Sequence, residues 1–106
     1  MTDDELVATI LDALHDATLI IEPGRRHFLT DPIAQRAAKN IIAEIGEAAA
    51  QVSDQARERT SHVPWRLIIG MRHKVVHDYA SVDLSVLWDT LEHDLPALAA
   101  ALRHAR

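Results

Sequence analysis

The chain has 106 residues, 48% hydrophobic and 25% charged, with a formal net charge of −5. This fits a single domain, residues 1–106, with one modest core, and leaves no room for a second catalytic domain or a full dinucleotide-binding sheet. A protein that coats nucleic acid over its whole surface is normally basic, so any RNA contact here has to be local.

Cysteine is absent, which excludes disulfides, a thiolate nucleophile and a Cys-based zinc site. The start, MTDDELVATI, lacks the basic and apolar runs of a signal peptide. No apolar stretch approaches the roughly 18 residues of a membrane helix. A cytoplasmic protein without membrane contact is therefore expected, and the lack of cysteine suits a reducing compartment.

Only three glycines and four prolines interrupt a chain rich in Ala and Leu, a composition that favours helix. Thr2-Asp3-Asp4-Glu5 has the form of a capping box with an acidic first turn. Leu6, Ile10, Leu14 and Ile21 then recur at helical spacing, predicting a helix over about Asp3–Ile21 that Glu22-Pro23-Gly24 stops. Arg25–Thr30 reads as a connector with a helical turn around Phe28. Asp31-Pro32 reads as an N-cap followed by a first-turn proline. Ile33, Ala37, Ile41, Ile45, Ala48 and Val52 extend that helix to about Ser53.

Asp54–His62 is polar and reads as a loop with room for a short helix. Ser61-His62-Val63-Pro64 opens a third long helix ending near Tyr79. Asp83 caps a fourth, whose stripe is Leu84, Leu87, Leu91, Leu95, Leu98 and Leu102. Pro96 lies inside this stripe and predicts a kink or restart. Strand-like alternation, repeats and low-complexity segments are missing. The expected fold is an all-α, four- to five-helix up-and-down bundle. Its thin core makes a homodimer plausible.

Charge is uneven. Arg57, Arg59, Arg66, Arg72 and Lys74 against Glu58 give +4 over residues 57–74, followed by −5 over residues 78–94. A solvated helix face accounts for such a run, but this one overlaps the densest chemical cluster of the chain, Arg72-His73-Lys74-Val75-Val76-His77-Asp78-Tyr79.

An arginine offers a permanent charge and a fork suited to phosphate, and a histidine exchanges protons near neutral pH. Together they suffice for metal-free RNA cleavage: His77 would move the proton of the ribose 2′-hydroxyl or of the leaving oxygen, and Arg72 would stabilise phosphoryl charge. Positions five apart on a helix differ by about 140°, so Arg72 and His77 do not share a face. A long arginine reaching round, a helix end, or a second subunit would unite them. The plainer alternative pairs Arg72 with a local acid and leaves His77 as a helix C-terminal cation.

His73 and His77 do share a face, at the spacing of a two-His metal clamp, but no third and fourth ligand stand at telling positions. No resident metal or cofactor is expected. Tyr79 offers a ring for stacking or a hydroxyl for modification, or simply packs at the helix end. Trp65 and Trp88 fall on apolar faces and belong to the core. His15, His27, His62, His93 and His104 are scattered and receive no role. Glu47 interrupts the second long helix's stripe, where it could pair with Arg72.

Arg72-x4-His77-x-Tyr79 resembles the R-x4-H-x-Y motif of HepT-type toxins in the HEPN ribonuclease superfamily. Ile45-Gly46-Glu47-Ala48-Ala49, Val63-Pro64-Trp65-Arg66, Ile69-Gly70-Met71-Arg72, His77-Asp78-Tyr79 with Val82-Asp83, and Asp94-Leu95-Pro96 are similar to HepT sequence in the same order.

The resemblance implies a HEPN-like homodimer with a cleft where the Arg and His of both subunits meet. It also implies metal-independent endoribonuclease activity that restrains growth. It further implies an MntA-like nucleotidyltransferase antitoxin that transfers AMP from ATP onto Tyr79, blocking RNA by charge and bulk. Arg72 and His77 are then catalytic, with His73, Lys74 and Glu47 in support. HEPN proteins often carry Asn or Asp where His73 stands, which leaves that residue's role open. The alternative function is a non-catalytic helical module that binds a nucleotide or a partner transferase.

Overall fold

The computed structural model describes residues 1–105. The first helix, α1 (Asp3–Ile21), starts where Thr2 Oγ1 accepts from the Glu5 amide at 3.1 Å, satisfying one orphan donor beside three first-turn acids. It buries Leu6, Ile10, Ala13, Leu14 and Ala17 along one stripe. Gly24 ends the turn that follows, at φ +96°, a conformation that side chains with a Cβ disfavour.

The connector beyond it is fully helical, α2 (Arg25–Thr30). Its anchor is Phe28, whose ring lies 5.5 Å from that of Trp88 and is inaccessible to solvent.

The central helix is α3 (Pro32–Gln51). The Asp31 carboxylate accepts from the Ile33 amide at 3.0 Å, and Pro32 occupies the first turn. The helix stops short of the expected Ser53, because the Ser53 hydroxyl caps the next one by accepting from Ala56 N–H at 3.1 Å. That next helix is α4 (Asp54–Arg59), within the segment read as mostly loop. Arg57 of α4 turns back onto α3, donating to the carbonyls of Ala49 and Ala50 at 2.9 Å each.

Helix α5 (Trp65–His77) begins later than its sequence signals imply. Residues 60–65 form tight turns, with Val63 N–H donating to the Thr60 carbonyl and Trp65 N–H to Val63. The helix ends at His77, before Tyr79. It packs along α3, which packs in turn against α1.

The last segment begins with α6 (Leu84–Asp89), capped by Asp83 through the amides of Ser85 and Val86 at 2.8 and 3.3 Å. Residues Thr90–Asp94 widen into a π turn, with Leu95 N–H donating to the Thr90 carbonyl, and α7 (Leu95–Ala105) follows. The widened turn is where Pro96 would otherwise drive its ring into the carbonyl four residues back. The predicted restart is thus a π turn that keeps Leu87, Leu91, Leu95, Leu98 and Leu102 all buried. Both tryptophans are buried too.

The result is an all-α bundle of four long helical segments plus α2 and α4, among the described residues. None of its helices is long and apolar enough to cross a membrane, among those residues.

Candidate active site on the outer face of α5

Helix α5 buries Trp65, Ile68 and Val75 and turns a second face outward. His73 and His77 stand on the outward face, both exposed. Their ring centroids are 4.2 Å apart, with the planes tilted by 55°. The spacing that placed them on one face has therefore brought the imidazoles into contact. Because α5 ends at His77, this pair stands at the helix C-terminus.

Arg72 faces the other way, toward α3, and is partly buried. Gly46 makes that placement feasible. A Cβ built on Gly46 would overlap Arg72 Cβ and sit 3.0 and 3.1 Å from Cγ and Cδ. The stem of Arg72 thus lies flat on the α3 backbone. Among the described residues, no carboxylate lies within ion-pairing distance of its guanidinium. Glu47, the expected partner, is exposed on the next position of α3 and makes no ion pair with it. One residue round the α3 helix turns the side chain by about 100°, away from the α3–α5 contact.

Tyr79 lies just past the helix end and stays 39% exposed. Two α3 residues hold it. Lys39 Nζ donates to the Tyr79 carbonyl at 2.6 Å and stands 4.9 Å from the ring centroid. The Tyr79 hydroxyl points to Asn40 Oδ1 at 3.5 Å.

Nothing in the Arg72-x4-His77-x-Tyr79 motif marks Lys39, Asn40 or the role of Gly46. The available signal was the seven-residue spacing of Lys39 and Gly46, which puts them on one face of α3. The same spacing separates Tyr79 from Arg72, so the two pairs match across antiparallel helices.

The basic stretch divides. Arg57 is spent on capping α3. Arg66 and Lys74 are exposed on α5 and line a groove of about 580 Å³ that also includes Met71, Val75 and Val82. Of the histidines given no role, His27 meets Asp31, His93 meets Glu92 and His62 meets the Ala101 carbonyl. Among the described residues, no group of three or more His, Cys, Asp or Glu side chains is placed to hold a metal ion.

The profile of the family described as "Ribonuclease HepT-like" matches residues 10–105. The chain belongs to the HepT-like ribonuclease family. "Probable ribonuclease HepT" of Thermococcus cleftensis is 32% identical over 101 residues, covering 91% of this chain and 92% of that protein. "Putative RNase TTE0752" of Caldanaerobacter subterraneus subsp. tengcongensis is 38% identical over 71 residues. That alignment spans 67% of this chain and 63% of the relative, so the match leaves over a third of the relative's length uncovered. No solved structure matches the chain. The HepT-like match runs through all of α5 and Tyr79, so the Arg72-x4-His77-x-Tyr79 motif lies inside the family domain.

Proposed function

We propose that this HepT-like chain is a metal-independent endoribonuclease acting in the cytoplasm as a homodimer. The carrying observation is the contacting His73–His77 pair at the end of α5, on the same helix as an Arg72 that no carboxylate neutralises. In the reaction, a ribose 2′-oxygen attacks the adjacent phosphorus while the bond to the 5′-oxygen breaks. His77 takes the 2′-hydroxyl proton, and an imidazolium returns a proton to the leaving oxygen. Arg72 stabilises the charge that gathers on the phosphoryl oxygens. The products are a 2′,3′-cyclic phosphate and a 5′-hydroxyl. Pairing two copies through the outward face of α5 would bring two imidazole pairs into one cleft, which each Arg72 would enter from its α3 side. Arg66 and Lys74 would supply the local positive charge that the acidic whole lacks.

The biological role proposed is that of a toxin restrained by an MntA-like nucleotidyltransferase. Tyr79 Oη attacks the α-phosphorus of ATP, the α–β anhydride bond breaks, and pyrophosphate leaves. The phenolic proton passes to water or to a base of the transferase. The exposure of Tyr79, just past the helix that carries Arg72 and His77, supports that reading. Nucleotide carried there would repel and obstruct RNA.

The test is cleavage of an end-labelled RNA by the full chain and by His77→Ala, with intact mass measured after co-expression with the transferase. Cleavage by wild type alone, together with an AMP increment lost in Tyr79→Phe, is the expected result. RNA binding without cleavage in wild type would favour a non-catalytic binding module instead.

A further inference from the structure

Lys39 is an unusual occupant of a helix–helix contact. Its residue retains only 9% of its surface, and among the described residues its ammonium has no carboxylate partner. A cation removed from water without a counter-ion is costly unless other groups solvate it. Here the two groups found in contact with Nζ both belong to Tyr79. Nζ donates to the Tyr79 carbonyl at 2.6 Å and faces the Tyr79 ring at 4.9 Å. Asn40, next along α3, meets the hydroxyl of the same tyrosine at 3.5 Å. Carbonyl, ring and hydroxyl of Tyr79 are thus each engaged from α3, although α5 has already ended at His77.

We infer that Lys39 is the positioning residue for Tyr79. It holds the turn after α5 and the phenol ring in one pose, so that the hydroxyl is offered to a nucleotidyl-transferring partner at a constant place just past the end of α5. This rests on the reading of Tyr79 as the AMP acceptor. A plain helix C-cap would need only the carbonyl contact. The ring contact and the Asn40 contact have no use in capping, and both fix the side chain.

Tyr79 is the only tyrosine in the chain, so biosynthetic labelling with 3-fluorotyrosine gives a fluorine signal from that residue alone. The full chain is compared with Lys39→Gln, which keeps a donor for the carbonyl but removes the cation, and with Lys39→Arg, which keeps the cation. Circular dichroism monitors folding, and Asn40→Ala serves as a second variant that leaves the buried lysine in place.

The expected result is a shifted or broadened fluorine signal in Lys39→Gln. AMP transfer from ATP to Tyr79 by the MntA-like enzyme should slow roughly 10- to 100-fold, mainly in kcat, as for a misplaced reacting group. Lys39→Arg should recover most of both, and Asn40→Ala should give a smaller change of the same sign.

A fluorine signal in Lys39→Gln identical to wild type overturns the assignment. So does a changed signal with an unchanged transfer rate. A wild-type chain that accepts no AMP overturns the acceptor reading itself, and the fluorine comparison then still decides whether Lys39 sets the pose.

Discussion

Gly46 of α3 is the surface on which the stem of Arg72 rests, because hydrogen is the only substituent that fits between the α3 backbone and Arg72 Cβ. Exchange to alanine would add helix propensity worth about 1 kcal/mol. The same methyl would strike a Cβ, which cannot swing aside as a flexible side-chain end can. Overpacking of this kind typically costs about 1–3 kcal/mol, and here it has to be relieved by parting α3 from α5. Gly46→Ala is expected to lower stability in urea unfolding and to impair RNA cleavage through a displaced Arg72. A variant more stable than wild type and equally active would show that the contact yields freely.

Arg72→Lys separates charge from shape. Lysine keeps the positive charge but not the planar fork that meets two phosphoryl oxygens. With no ion pair to break, unfolding should change little. Cleavage is expected to fall by roughly 10²–10³-fold, the usual scale for losing one transition-state donor. Single-turnover rates on labelled RNA would measure it. A rate near wild type would reduce Arg72 to a generic cation.

The His73–His77 contact fits either of two proposed chemistries, and a chelator distinguishes them. As a proton-transfer pair, it should cleave RNA at an unchanged rate in EDTA. The rate should also depend on pH, as general acid–base catalysis requires. Activity lost in EDTA and restored by zinc would make the pair a metal clamp, with ligands drawn from beyond one chain.

Asp3 links the start of α1 to the start of α4. Its carboxylate accepts from the Ser53 hydroxyl at 2.7 Å and the Ser53 amide at 2.9 Å, and these bonds hold its pKa below the ordinary carboxylate value. Burial opposes them, and Arg59 adds a smaller pull in the same direction as the bonds. A depressed carboxyl pKa means that the unfolded chain takes up the proton more readily than the folded one. The contribution is therefore present above the unfolded-state pKa and fades as pH falls through the folded one. Asp3→Asn should be less stable than wild type at neutral pH, and the gap should narrow in acid. Urea unfolding at two pH values tests this. A gap of constant size would mean that the carboxylate's charge is irrelevant.

Local signals in the sequence were reliable where the physics is local. Thr2, Asp31 and Asp83 each cap the helix assigned to them, since a cap is a contact between residues two or three apart. The leucine stripe held through Pro96 because a π turn absorbs the misfit without changing the buried face. Helix ends near residues 51–65 were harder to read. There Ser53 serves the following helix instead of extending the preceding one.

The ordered family motifs and the shared face of His73 and His77 follow from the sequence alone, through order along the chain and the period of the helix. The surroundings of Arg72 and Tyr79 do not. Lys39 and Tyr79 are far apart in the chain, as are Gly46 and Arg72, and no short-range rule couples either pair. Their meeting depends on the register in which α3 lies against α5, and that register is set by side chains packing across the whole interface. Tertiary structure likewise sorts the basic run, with Arg57 turned back to cap α3 and Arg66 and Lys74 left exposed on α5.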